Sequence, residues 1–216
     1  MKTVLQIVLW IVCVGLGYLI YQSVNAPIEF KKTKEDRFGQ VISVLKDIGN
    51  AQEAYKRENG KFANDFNTLI DFIEKGKFTI TQQRDSSFMQ FDETYQIDLL
   101  KEVKIIDTLD FISVKDSLFK KDDRYKTLMN VPFAPNGEKF EMKAAMIDKS
   151  GVKAAVFEAK VKKSIILHDQ PKDLLAKENA HQSVEQVKGD EIKIGSLSEV
   201  STTGNWPPIY DRKKEN

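Results

Sequence analysis

Two histidines, His168 and His181, and no cysteine beyond residue 13 bound the chemistry open to this 216-residue chain. A zinc site needs at least three protein ligands at fixed geometry. Asp169 adjoins His168, but sequence neighbours rarely converge on one ion. The two histidines therefore read as solvated surface residues, one in a loop and one on a polar helix face. Neither has a Ser or Cys partner in a nucleophile motif. There is no phosphate-cradling Gly-rich loop and no His-Glu-x-x-His. The acids Asp92, Glu93, Asp98, Glu102, Asp107, Asp110, Asp116, Asp122 and Asp123 lack the alternation and turn glycine of a calcium loop. Lys101, Lys104 and Lys115 interleave with them, as on solvent-facing strands. A carboxylate pair for glycoside hydrolysis needs only two acids close in space, and no particular pair is favoured. The expectation is a non-enzymatic protein with no cofactor and no bound metal.

The element that places these residues is N-terminal. Val4 to Tyr21, VLQIVLWIVCVGLGYLIY, carries no charge. As a helix it makes a rod of roughly 27 Å, against about 30 Å of bilayer hydrocarbon. Val4, Leu9, Trp10, Val14, Tyr18 and Tyr21 are read as membrane-anchor residues, so the lipid bilayer is an expected partner. A cleaved secretory signal is the competing reading, with Lys2 as its positive end and Val24-Asn25-Ala26 as its cleavage site. The length of the apolar run and Pro27 just after that site favour retention. The positive-inside count is more basic downstream, at Lys31, Lys32, Lys34 and Arg37, and favours a cytoplasmic domain. Lys2, which abuts the span, and the short N-terminal tail point the other way. The expected location is the bacterial inner membrane, single-pass, with the C-terminal domain in the periplasm.

All 32 acids and 32 of the 33 Lys and Arg residues lie beyond residue 26, so that part of the chain is neutral. A neutral, sign-mixed surface gives no electrostatic basis for nucleic-acid binding. The single cysteine, Cys13, lies in the apolar run, which excludes an internal disulfide.

The spacing predicts a break at Asn25-Ala26-Pro27, then a helix capped by Thr33. Phe38, Val41, Ile42, Leu45, Ile48 and Tyr55 form its apolar stripe, and Gly60 ends it. A short helix follows, from about Asp65 to Lys75, capped by Asn64 or Asp65 and stopped by Gly76. Four short strands are expected at residues 77–83, 88–95, 102–106 and 111–114. A hairpin then pairs residues 139–147 with 152–161 across Asp148-Lys-Ser-Gly151, and Ile165 to Leu167 extends its second strand. A helix from Pro171 to about Val187 and a last strand at Ile192 to Ile194 complete the chain. The organisation is 1–26 transmembrane signal-anchor, 27–76 helical stem and short second helix, and 77–216 a β-rich α+β domain forming one unit with the stem.

Ile48 to Leu69 reads IGNAQEAYKRENGKFANDFNTL. With Ala51, Tyr55, Asn59, Gly60, Phe62 and Leu69 in comparable places, residues 33–76 resemble bacterial type IV pilins and the pseudopilins of type II secretion. The family's peptidase-processing site is absent, since no acid precedes Glu29. The stretch Ile194 to Pro207 is similar to uncharacterised membrane-anchored proteins of the Bacteroidota. The pilin resemblance implies an α+β fold in which a long amphipathic helix packs on an antiparallel β-sheet. The expected function is a structural or assembly subunit of a cell-envelope or secretion complex, with membrane or periplasmic proteins as partners, a homo-oligomer among them. The alternative is a membrane-tethered binding or sensing domain for a small ligand or peptide. Trp206 and Tyr210, in a Pro-rich C-terminal loop, are the candidate partner contacts, or else they tuck the C-terminus onto the core.

Overall fold

The computed structural model describes residues 2–92, 97–120, 122–149, 151–180, 183 and 185–211. Helix α1 runs unbroken over Lys2–Asn59 with Pro27 inside it, a rod of roughly 87 Å at 1.5 Å per residue. The expected break at Pro27 and the cap at Thr33 are therefore not found. Proline interrupts a helix by removing one hydrogen bond and crowding the preceding turn, at about 3 kcal/mol. Here the core reaches upstream of Thr33. Phe30 is buried on the same face as Phe38, Val41, Ile42 and Leu45, so helical phase must already be set at residue 30. Gly60 ends the helix in the left-handed region, φ +71°, and its N–H donates to the Lys56 carbonyl.

Helix α2 spans Phe66–Lys75. Asp65 caps it, accepting from the Thr68 N–H and hydroxyl, both at 2.8 Å. Strands β1 (Lys77–Asp92) and β2 (Ile97–Ser113) form one long antiparallel ribbon in place of the four short strands expected. The polar run Gln82 to Ser87 pairs in full register, so polarity there marks solvent exposure and not a break in the strand. Helix α3 (Val114–Phe119) brings the chain back to the core. A three-stranded antiparallel sheet follows, order β3-β4-β5, from Glu141–Lys149, Val152–Lys162 and Glu191–Gly195. Asp148 Oδ1 accepts the Gly151 N–H at 2.9 Å and closes the β3–β4 turn. Residues 163–166 form helix α4 instead of extending β4, and helix α5 covers Lys172–Asn179, ending well short of Val187.

The fold is α+β, with a long apolar N-terminal helix and antiparallel strands. The lower half of α1 lies on β4 and β5, and its stripe meets Phe157, Ala159, Val161, Ile192 and Ile194 in one core. The approach is close at Gly49, where a Cβ would stand 2.6 Å from Ile194 Cδ1. Phe62 packs on Phe157 with ring centroids 4.6 Å apart and ring planes inclined at 50°.

One polar side chain in this core is fully satisfied. Gln52 Nε2 donates to the Ala63 carbonyl and its Oε1 accepts the Ala63 N–H, both at 2.8 Å. The pair pins the loop after Gly60 back onto α1. Substituting Gln52→Leu orphans both backbone groups of Ala63. The expected loss is about 2–4 kcal/mol, read as a lower denaturation midpoint in detergent. A midpoint equal to that of the unsubstituted chain contradicts the pinning role.

Candidate functional site

Two exposed apolar surfaces stand out, and neither is a pocket. The first is the N-terminal part of α1. Leu9, Trp10, Val14, Tyr18 and Tyr21 are each roughly two-thirds exposed, with Trp10 at 72%; the side chain of Val4 is outside the described residues. The helix is long and apolar enough to cross a membrane, a description a signal sequence also meets. An all-round apolar helix has no stable place in water.

The second surface is the β1–β2 ribbon. Among the described residues, its base is the part that meets the body. Phe78 lies 6.0 Å from the Arg57 guanidinium, and Val114 N–H donates to the Gly76 carbonyl. A bulge between Ile80 and Thr81 leaves Leu109 without an opposite residue. Beyond it the ribbon runs on as an isolated two-stranded structure, a kind that is marginally stable alone in water. Register assigns its faces. Thr79/Phe111, Gln83/Ile106, Asp85/Lys104, Ser87/Glu102, Met89/Leu100 and Phe91/Asp98 share one face. There Phe111, Ile106, Leu100, Met89 and Phe91 are 58–66% exposed. The other face is better covered. Near the base Ile80 and Ile112 are 37% and 42% exposed, Phe88 and Ile97 farther out are 48% and 52%, and Arg84 Nε meets Asp107 at 3.1 Å. The sequence signal for this surface was present in Phe88, Met89, Phe91, Leu99 and Leu100. The expected strand 88–95 covers Phe88, Met89 and Phe91, whereas Leu99 and Leu100 fall between the expected strands 88–95 and 102–106.

Polar ties from α1 hold the later segments in place. Arg37 grips Asp169 through both oxygens, at 2.6 and 2.7 Å, and donates to the Ile166 carbonyl. The Arg37 hydrogen bonds hold the Asp169 carboxyl well below the usual carboxylate range. Asp47 meets Arg124 at 3.1 Å, with its pKa pushed up by burial against the pull of that guanidinium. Lys163 is fully buried and donates to Glu178 Oε1 at 3.1 Å and to the carbonyls of Glu178 and Val187. Burial pushes the Lys163 ammonium down, with Glu178 opposing. Lys34 reaches the other Glu178 oxygen at 2.8 Å. All three donors of Lys163 are engaged with protein, which makes it a structural strut.

The sequence-derived candidates fall as follows. His168 is exposed, with Nδ1 3.3 Å from the Ile165 carbonyl; His181 is outside the described residues. Among the described residues no cluster of three or more His, Cys, Asp or Glu could hold a metal. Of the acidic stretch, Asp98, Glu102, Asp107 and Asp110 are strung along the ribbon. Asp122 and Asp123 engage Arg124, Lys115 and Lys126. Trp206 and Tyr210 are half-buried against the core. Trp206 Nε1 donates to Asp211 Oδ1 at 3.1 Å, and Lys46 binds the Tyr210 carbonyl and Asp211. Burial raises the Tyr210 phenol to about 12. Six of the thirteen phenylalanines lie in the buried core and three more pack against it. Two open depressions, of about 350 and 420 Å³, flank Phe62 and Phe78.

No protein-family model matches the chain, and neither a curated protein nor a solved structure matches it.

Two measurements test the ties. Lys163→Ala removes one partner of a buried pair and strands the Val187 carbonyl, for an expected loss of about 3 kcal/mol; an unfolding midpoint unchanged in detergent overturns the strut. Asp169 has a folded pKa below its unfolded one, so its contribution is present above the unfolded value and is lost as pH falls through the folded value. Acidification below about pH 4 should therefore destabilise the chain less steeply in Asp169→Asn. Identical acid limbs for the two proteins contradict the tie.

Proposed function

We propose that this chain is a single-pass, membrane-anchored structural or assembly subunit of a bacterial cell-envelope or secretion complex, with no catalytic role. The observation that carries the proposal is the continuity of α1. The same helix presents an apolar surface at Leu9 to Tyr21 and seats Phe30 to Ala54 in the domain core. Such a helix joins a lipid-facing end to a folded body without a hinge. The exposed ribbon supports the same reading, because an unpacked apolar strand face suits contact with another protein. The pilin resemblance of residues 33–76 agrees with a helix-led assembly subunit.

We place the anchor in the inner membrane and the domain in the periplasm because Lys2 abuts the apolar span. Lys149, exposed at the end of β3, gives a handle for topology. In a Cys13→Ser background, Lys149→Cys should react with a membrane-impermeant thiol reagent once the outer membrane is permeabilised. Protection until the inner membrane is lysed overturns the periplasmic placement. Mild detergent extraction followed by affinity purification should recover the chain in stoichiometric complex, with itself or with other membrane proteins. A monodisperse monomer from native membranes overturns the assembly role.

A further inference from the structure

We propose that the β1–β2 ribbon is a self-association surface, and that its occupant is the ribbon of a second copy stacked face to face. This deepens the assembly reading and rests on it. The exposed face spans nearly the whole ribbon, about 50 Å at 3.3 Å per residue. Phe91, Met89 and Leu100 lie toward its tip, and Ile106 and Phe111 toward its base. Such side chains offer on the order of 100 Å² each. With the polar residues between them the face approaches the roughly 800 Å² per partner of a standard interface. The opposite face also carries Phe88 and Ile97, 48% and 52% exposed, but the Arg84–Asp107 pair crosses it and the body flanks its base, so the face of Met89, Phe91, Leu100, Ile106 and Phe111 is the more open of the two.

Charge placement selects a second copy and fixes its orientation. Asp85 and Lys104 stand directly opposite each other in the middle of the ribbon on this face. A twofold axis running along the ribbon lays β1 of one copy over β2 of the other. Each residue then meets the equivalent of its own cross-strand neighbour. Asp85 faces Lys104 of the second copy, twice by symmetry, and Met89 faces Leu100 of the second copy. An axis across the ribbon through this row sets Asp85 on Asp85 and Lys104 on Lys104, which like-charge repulsion disfavours. Packed sheets of aligned strands stack about 10 Å apart, a spacing these side-chain lengths fill. Anchoring both copies by α1 in one bilayer holds their ribbons at one height and raises their effective concentration.

The test is made on the full chain in lipid nanodiscs and in mild detergent, by mass photometry and light scattering. The unsubstituted chain should dimerise. Asp85→Lys alone places lysine on lysine, and Lys104→Asp alone places aspartate on aspartate; each should weaken self-association about tenfold or more. Mixed together, the two variants should regain the dimer as a heterodimer, because every facing pair is again of opposite sign. Mixing leaves each chain's internal ribbon pairing unchanged, so the rescue reports contact between copies and not ribbon folding. Leu100→Glu should leave a monomer with native helicity. Dimers that persist in both single variants, or single variants that fail to rescue each other on mixing, overturn the proposal. A monomeric chain that still recovers a different membrane protein in fixed ratio overturns it and leaves the assembly role standing. A monomer with no companion overturns both.

Discussion

The buried stripe of α1 is the constraint on which the rest of this structure depends. Phe30, Phe38, Val41, Ile42, Leu45, Ile48 and Ala51 recur at helical spacing, and the core residues of the later helices and of the three-stranded sheet join them in one cluster. The sheet contributes Phe157, Val161, Ile192 and Ile194, and the helices contribute Leu69, Ile73, Phe119 and Ile166. No other element is long enough to touch all of these. The polar ties follow the same line, from Lys34 and Arg37 through Lys46 and Asp47 to Gln52. Each ties α1 to a different later segment. Apolar burial supplies most of the stabilisation, while the ties choose which segment lies where.

The ribbon is the exception to that scheme. It leaves the body at Gly76 and returns at Val114, and between these points its residues pack mainly on each other. A globular domain would have folded such strands over its core. Here both strands run on as a two-stranded arm with one apolar face open. The chain therefore carries its largest unsatisfied apolar surfaces at two places outside the core, the N-terminal helix and the arm. A function built on association needs surfaces of this kind, whereas a catalytic function needs a concave cluster of polar groups.

Much of the fold was legible from local patterning. The α1 stripe, the left-handed stop at Gly60, the Asp65 cap and the turn from Asp148 to Gly151 all rest on contacts within a few residues, and sequence spacing encodes such contacts directly. The continuity of the helix through Pro27 was not legible. The penalty at proline is local, whereas the burial of Phe30 depends on a core assembled from segments distant in sequence. The length of the ribbon was hidden for a related reason. The run Gln82 to Ser87 has no apolar member, so it looks like a loop until its partners Glu102 to Asp107 are known. Trp206 and Tyr210 read as partner contacts or as a C-terminal tuck, and the structure sets both half-buried against the core.

The unbroken rod has a mechanical consequence. From Tyr21 to Asn59 the helix extends roughly 57 Å at 1.5 Å per residue, and the domain core is built along its far half. If α1 is the membrane anchor proposed above, a tilt of about 10° where it leaves the bilayer swings its other end sideways by about 10 Å, and tilts of this size are ordinary for single spans. The body would ride on that lever as one piece, since it is packed on α1 and not hung from it. Bilayer thickness and lateral crowding would thereby become positional inputs to the arm. A flexible stalk in place of residues 22 to 29 would have absorbed them.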